Sequence, residues 1–330
     1  MLQLLLRRWF LLMLTTTLLA GMGWHRQFAP IVDSLPQDWI IGSVLLAMAL
    51  PLRIDAMWAS LRHPLPALLA VTINLVGVPI LAWSASWLLN EELALGIIIT
   101  AAVPCTLASA AVWTRLAGGN DAVSLLVTML TNLSCFAVTP ALIYLLADHA
   151  VVAIPFGPMA GKLLLLIVLP IMAAQLLRTI PAVGKWATAN KRGLGGYAQL
   201  GILSIVFVGA VRCGQRIDEL DGQLTSVAGQ IILMLVLVAA VHLTAWWLGF
   251  WTAARMGLAH AEQLAVAFAG SQKTLMVGLA IALPFGGLTV LPMLAYHVEQ
   301  LLIDTMLAER LRQSSPDASV QTDYGLEERS

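Results

Sequence analysis

Charge is scarce in this sequence. Asp, Glu, Lys and Arg make up 11 % of its 330 residues, where an ordinary soluble domain carries about 25 %. With 59 % hydrophobic residues and a mean hydropathy of +0.86, a single water-facing globule is excluded and a polytopic membrane protein is implied. Neither sign of charge is in excess, since 18 basic residues balance 18 acidic ones, and nucleic-acid binding loses its electrostatic basis. Cysteine is sparse. Cys105, Cys135 and Cys213 are odd in number, lie in or beside apolar segments and form no CxxC pair, so neither a disulfide framework nor a zinc site is indicated. Catalytic signatures are missing too. There is no GxSxG elbow, no HExxH helix and no pair of aspartates inside an apolar run. Ser271 with His297 is therefore a poor protease pair, and the chain is read as a non-enzyme. The run Gly118-Gly119-Asn120-Asp121 is a turn, because no Gly-Lys-Ser/Thr follows it.

What the sequence has is long apolar runs. About 20 apolar residues cross a bilayer, and ten spans can be placed, at about 9–24, 39–58, 64–89, 93–114, 121–147, 159–179, 195–212, 224–251, 262–283 and 287–310. Pro51, Arg53 and Asp55 interrupt the end of the second. Arg7-Arg8 before an apolar run resembles a signal peptide, but the span is needed for the count, and Trp9 and Trp24 bracket it as interfacial anchors. Trp39, Trp83, Trp87, Trp113, Trp247 and Trp251 also fall near span ends. With a cytoplasmic N-terminus, thirteen basic residues face the cytoplasm and four (Arg26, Lys162, Arg212, Arg216) face outward, Lys273 being the remaining one. The positive-inside rule therefore expects both termini in the cytoplasm. A helical protein of this kind belongs in an inner or plasma membrane rather than among outer-membrane barrels. The tail 313–330 is polar, without an apolar period, and reads as disordered.

Lys273 lies inside an apolar stretch, Leu264–Leu283. An ammonium at the centre of a membrane helix costs roughly 2.5–3.5 kcal/mol on insertion scales and marks an ion or substrate pathway more often than a packing position. Its surroundings have a counterpart half the chain away. The fourth span runs into VPCTLASAAVWTRLAGGND and the ninth through FAGSQKTLMVGLAIALPFGG. Each has a centre of small and polar residues, then an apolar half-helix, then a Gly-Gly turn. Five spans per half is odd, so the second copy enters the membrane inverted. Inverted repeats with matching interrupted helices are the signature of secondary transporters. Pro104 can break the fourth span, and Gly270 with Ser271 can loosen the ninth. The expected fold is an all-α membrane protein of ten transmembrane helices in two inverted repeats, about 1–147 and 158–312.

Val103–Thr128 and Ala267–Phe285 resemble the bile acid:sodium symporter family, in its SBF-like branch of bacterial membrane proteins, and the resemblance extends over roughly residues 1–312. It implies a core of spans 3–5 and 8–10, a panel of spans 1, 2, 6 and 7, and broken fourth and ninth spans that cross in the core beside the cation sites. It also implies an organic-anion substrate bound between core and panel, with Na⁺ or H⁺ as coupling ion and no other cofactor. Ser109 matches the Ser of one cation site, Ser124 and Thr128 its fifth-span pair, and Gln272 the ninth-span Gln; Asn74 stands where the second site has a glutamine. Three positions depart from the family: Ala110 replaces an Asn, Phe268 replaces the shared Glu, and Lys273 replaces the Asn after Gln272. A carboxylate and an amide are lost and a cation is gained, and Na⁺ beside an ammonium in low dielectric is unfavourable. The expectation is that Lys273 occupies the sodium position, with Asn74, Ser109, Ser124, Thr128 and Gln272 as oxygen acceptors around it. Lys273 would then be either a permanent internal cation or a proton-carrying amine.

On the tenth span His297, Gln300 and Asp304 share a helical face. His297 reads as a proton-path residue or an interhelical bond, Asp304 as solvated, and Glu299 as the counter-charge for Lys273. Gln175 is a candidate to face substrate, and His242 and Asn132 read as interhelical bonds. The run Arg212–Asp221 reads as a solvated outer loop. The lipid bilayer is the one macroscopic partner implied; nothing in the sequence fixes an oligomeric state.

Overall fold

The computed structural model describes residues 9–52, 57–147, 155–220 and 224–313, and within them every regular element is helical. Arg7, Arg8, Arg53, Asp55, Asp221 and the tail from 314 onward lie outside the described residues. The principal helices are α1 (Trp9–Gly23), α2 (His25–Ser34), α3 (Gln37–Ala49), α4 (Leu65–Ser86), α5 (Glu91–Ala102), α6 (Ser109–Leu116), α7 (Asp121–Leu146), α8 (Phe156–Arg178), α9 (Pro181–Ala189), α10 (Lys191–Glu219), α11 (Leu224–Arg255), α12 (His260–Ser271), α13 (Leu275–Ala282) and α14 (Leu291–Gln313).

Local chemistry sets the ends. Asn90 caps α5 through its side-chain oxygen, which accepts from the Leu93 N–H at 3.0 Å, with Glu91 and Glu92 in the first turn; both features suit the positive end of a helix. Asn120 does the same for α7. Gly118 ends α6 at φ +84°, a backbone shape that disfavours any side chain. Among the described residues two helices carry a π turn, Ile73–Gly77 in α4 and Leu164–Val168 in α8.

Among the described residues six helices are long and apolar enough to cross a membrane, or seven if the pair α2 and α3, bent by 75°, is one span. The second expected span, 39–58, is shorter than anticipated: α3 ends at Ala49, and the residues before it form α2, a short helix with Pro30 inside. The seventh is longer. α10 runs on to Glu219, so most of the expected outer loop Arg212–Asp221 is helix, with Cys213 and Gly214 buried. A tight packing contact explains this: a Cβ at Gly214 would lie 2.6 Å from the Met22 carbonyl, so α10 continues against the end of α1.

The helices pack in two clusters that touch each other. α1, α2 and α3 lie against α10, and α8 lies against α3. In the other cluster α11 packs on α12 and α14, α12 on α4, α6 and α7, and α5 on α4 and α14; the two meet where α8 packs on α7 and where α10 packs on α13 and on the turn before α14. Large apolar side chains such as Leu165, Leu169, Met172 and Leu176 on α8 and Ile232, Val236 and Leu243 on α11 point outward, as a surface solvated by lipid requires. Trp9, Trp24, Trp39, Trp83, Trp87, Trp247 and Trp251 are exposed as anchors should be. Trp113 is not, because it packs beside Leu264 and Phe268 with a buried, unpartnered Nε1.

Candidate functional site: the crossing of two unwound stretches

The chain unwinds between α5 and α6, at 103–108, and between α12 and α13, at 272–274. Val103, Gln272 and Thr274 are extended. The two stretches touch: the Thr274 N–H donates to the Pro104 carbonyl at 3.0 Å. Each break frees backbone groups that hydrocarbon cannot satisfy, and each is answered by side chains of neighbouring helices.

At the first break the partners are neutral and come mainly from one face of α7. Thr139 donates to the Ala102 carbonyl at 2.9 Å, Asn132 to Cys105 O at 2.8 Å and Thr128 to Thr106 O at 3.0 Å, while Thr131 Oγ1 accepts from the Cys105 N–H at 3.2 Å. Thr106 Oγ1 accepts from the Ala110 N–H at 3.0 Å and so caps α6. The remaining carbonyl, Val103 O, accepts from Lys273 Nζ at 3.0 Å.

At the second break the partners come from α4 and α14, with His242 of α11 beside Ser271 O. Asn74 donates through Nδ2 to the carbonyls of Ala269 (3.2 Å), Gly270 (3.2 Å) and Gln272 (2.9 Å), closing the end of α12. Tyr296 donates to Ser271 O at 2.6 Å. Gln300 accepts from the Lys273 N–H at 3.0 Å and donates to the Lys273 carbonyl at 2.9 Å, an amide paired with extended backbone.

Lys273 is completely buried. Its ammonium donates to Asn74 O at 2.6 Å, Asn74 Oδ1 at 3.2 Å and Val103 O at 3.0 Å. In the π turn at Ile73–Gly77 the Val78 N–H bonds Ile73 O, and Pro79 has no N–H, so the Asn74 carbonyl lacks its usual helical donor. The acceptors are therefore neutral oxygens, and among the described residues no carboxylate pairs with this ammonium. Glu299, the expected counter-charge, is elsewhere: its Oε2 is buried with no hydrogen-bond partner.

Of the five oxygen-bearing residues expected around Lys273, the structure brings one, Asn74, to it. Ser109 donates to Gln272 Oε1 at 3.0 Å, beside Thr106 at 2.6 Å. Thr128 holds the first break, and Ser124 bonds Thr114 at 2.8 Å, stapling α7 to α6. The physical reason is competition: each freed N–H, C=O and amide at a dry crossing needs its own partner, and these hydroxyls are consumed by that demand. His297 Nδ1 meets Gln300 Nε2 at 3.1 Å, and its Nε2 is buried without a partner. Gln175 does not face a cavity at the crossing; it donates to Ala49 O at 2.8 Å and caps α3.

Asp304 overturns the solvated reading. It is fully buried, with Oδ1 3.0 Å from His242 Nε2 and Oδ2 accepting from Gln272 Nε2 at 2.5 Å. His242 Nδ1 lies 3.4 Å from Ser271 O, the last carbonyl of α12. A carboxylate thus reaches Gln272 from α14, while Phe268 on α12 is fully buried against Trp246, Leu264 and Ala308. Both His242 and Asp304 interrupt apolar runs, and ionisable residues inside spans are functional by default; that signal was available in the sequence.

Asn74 Oδ1 accepts from Lys273, and Gln272 Oε1 accepts from Thr106 and Ser109. Among the described residues, no group of three or more His, Cys, Asp or Glu could hold a metal ion.

A helical bundle with a lipid-facing apolar surface and two breaks stitched together around a buried cation is the architecture of a multi-pass membrane transporter. The chain belongs to the SBF-like CPA transporter family, which it matches over residues 8–313. It is similar to an uncharacterised protein of Pseudomonas aeruginosa, 29 % identical over 306 residues that cover 86 % of this chain and 87 % of that one. It is 27 % identical to the uncharacterised sodium-dependent transporter YocS of Bacillus subtilis, over 86 % of this chain and 88 % of YocS. It is 23 % identical to sodium/bile acid cotransporter 7 of Rattus norvegicus, over 86 % and 85 % of the two chains.

Proposed function

We propose that this chain is a secondary active transporter of an organic anion, of the bile acid symporter type, in which the Lys273 ammonium stands where sodium-dependent relatives hold a cation. Its sodium dependence is then altered or absent. The observation that carries the reading is the ammonium itself, fully buried where the two breaks meet and held by Asn74 and Val103 oxygens. A bound Na⁺ there would be repelled by a charge a few ångströms away, an interaction that low dielectric magnifies.

The ten-span, inverted-repeat layout, with both termini cytoplasmic and a core and panel that move against each other, belongs to the same proposal. The clustering of the helices into two groups, which meet at α7 and α8 and where α10 touches the turn before α14, supports it. So does a cavity of about 400 Å³ between them, lined by Gln37, Asp38, Lys162, Arg212, Leu283 and Gly286, within the usual range for small-molecule sites. Lys162 and Arg212 there are paired with Asp38 and Asp33, so an anion entering the cavity would exchange with a carboxylate for these two cations.

The test is uptake of labelled cholate into proteoliposomes under imposed Na⁺ or pH gradients. Uptake that needs no Na⁺, and that Lys273→Met abolishes while the protein stays folded, is the expected result. Folding survives because the desolvation cost of the ammonium is removed with it. Strong, saturable Na⁺ stimulation with no response to a pH gradient would end this reading. That outcome would favour classical sodium symport, the coupling that the names of YocS and cotransporter 7 suggest.

A further inference from the structure

Most ion pairs among the described residues join helices of one packing group. His25 and Arg26 meet Asp218, Lys162 meets Asp38, and Arg212 meets Asp33, all within the group of α1, α2, α3, α8 and α10; Arg115–Asp121 and His242–Asp304 stay within the other. Glu92–Arg216 crosses between them. Glu92 begins α5, and its Oε1 accepts from Arg216 Nε at 2.8 Å and Nη2 at 2.5 Å, while its Oε2 accepts from the Leu288 N–H at 2.6 Å. Arg216, near the end of α10, also donates to Glu219 at 3.1 Å. One carboxylate therefore ties α5, the turn before α14 and α10.

We propose that Glu92–Arg216 is a latch between the two helix groups, which parts whenever they separate at this end of the bundle. The inference rests on the transporter reading above, because only a protein that cycles between two arrangements needs a contact that opens. Its exposure suits that task. The side chains are 31 % and 34 % exposed, so water can solvate both charges once they part. A fully buried pair would strand them at prohibitive cost. The groups close tightly here: a Cβ on Gly287 would lie 3.5 Å from Arg216 Cγ and closer still to Glu92.

The same boundary contains its own reporter. Cys213, one turn before Arg216, is buried, with Sγ 3.7 Å from the Gly287 carbonyl of the other group. Full-length protein in nanodiscs is labelled with N-ethylmaleimide, and the modified cysteine is identified by peptide mass spectrometry. Glu92→Gln and Arg216→Gln should each raise the Cys213 labelling rate several-fold, with Cys105 and Cys135 still protected. Raised ionic strength should speed Cys213 labelling in the wild type but not in Glu92→Gln, because an ion pair about one-third exposed is screened by salt. Rates that stay flat in both variants, or a wild type insensitive to salt, overturn the latch. A variant that also labels at Cys105 and Cys135 has unfolded, and the wild-type salt response then decides. No substrate is needed, so flat labelling with working cholate uptake refutes the latch alone. A salt-sensitive latch without uptake of any anion refutes the transporter reading instead.

Discussion

The two breaks solve one problem with different chemistry. At 103–108 the freed backbone groups are met almost entirely by hydroxyls and an amide from α7, Thr128, Thr131, Asn132 and Thr139. At 272–274 the same demand is met from α4, α11 and α14, and the break carries ionisable groups: Lys273 within it, and the His242–Asp304 pair bonded to Gln272. The first is a neutral, single-helix staple. The second is a charged junction of several helices. Lys273 joins them, since its ammonium reaches Val103 O in the first break and Asn74 beside the second. The difference teaches that a break by itself does not mark the working site. The proposed working site is the break whose closure depends on charge.

That contrast can be broken by substitution. The largest effect is expected at Asn74. Asn74→Leu removes the cap from three carbonyls and one acceptor from the Lys273 ammonium, leaving a buried charge short of partners. It should cost about 3–5 kcal/mol in thermal unfolding of the detergent-solubilised protein. A change under 1 kcal/mol would mean that the ammonium has other support. Gln300→Leu comes next. It orphans the N–H and the C=O of Lys273 without touching a charge, and about 2 kcal/mol should be lost. If the Lys273 side chain alone holds the second break, this variant will be silent. Thr131→Val is the mildest. The isostere leaves the Cys105 N–H without its acceptor, for a loss of about 1 kcal/mol, and cholate uptake by the folded fraction should be unchanged. Uptake that falls as far as in Lys273→Met would erase the distinction between the two breaks.

Parts of this were legible in the sequence. Pro104 marks the first break, and the polar side chains at 128, 131, 132 and 139 recur on one face of α7, which is a visible stripe in an apolar helix. Lys273 stands out in any hydropathy reading. The second break has no proline, and Gly270 and Ser271 still belong to α12; the chain unwinds only after them, at Gln272. What unwinds it is a set of partners 27 to 199 residues away in sequence, Gln300 and Asn74 among them. The resemblance put the right residues near the crossing but misassigned their bonds, because a list of matched positions does not say which donor an oxygen will meet. His242 makes the interhelical bond expected of it, but Asp304 was misjudged for a related reason. Closeness to a span end suggested water, and only the packing of α11 against α14 excludes it.

The sequence by itself determined that this chain lives in lipid, that a lysine sits in an apolar span and that Pro104 can break one helix. These follow from composition and from single-residue chemistry. Only the tertiary structure decided what neutralises the demand of that ammonium, where the second helix unwinds and which carboxylate reaches Gln272. Each of those outcomes depends on helices far apart in the chain competing for a few buried donors and acceptors, and such a competition is settled by distance.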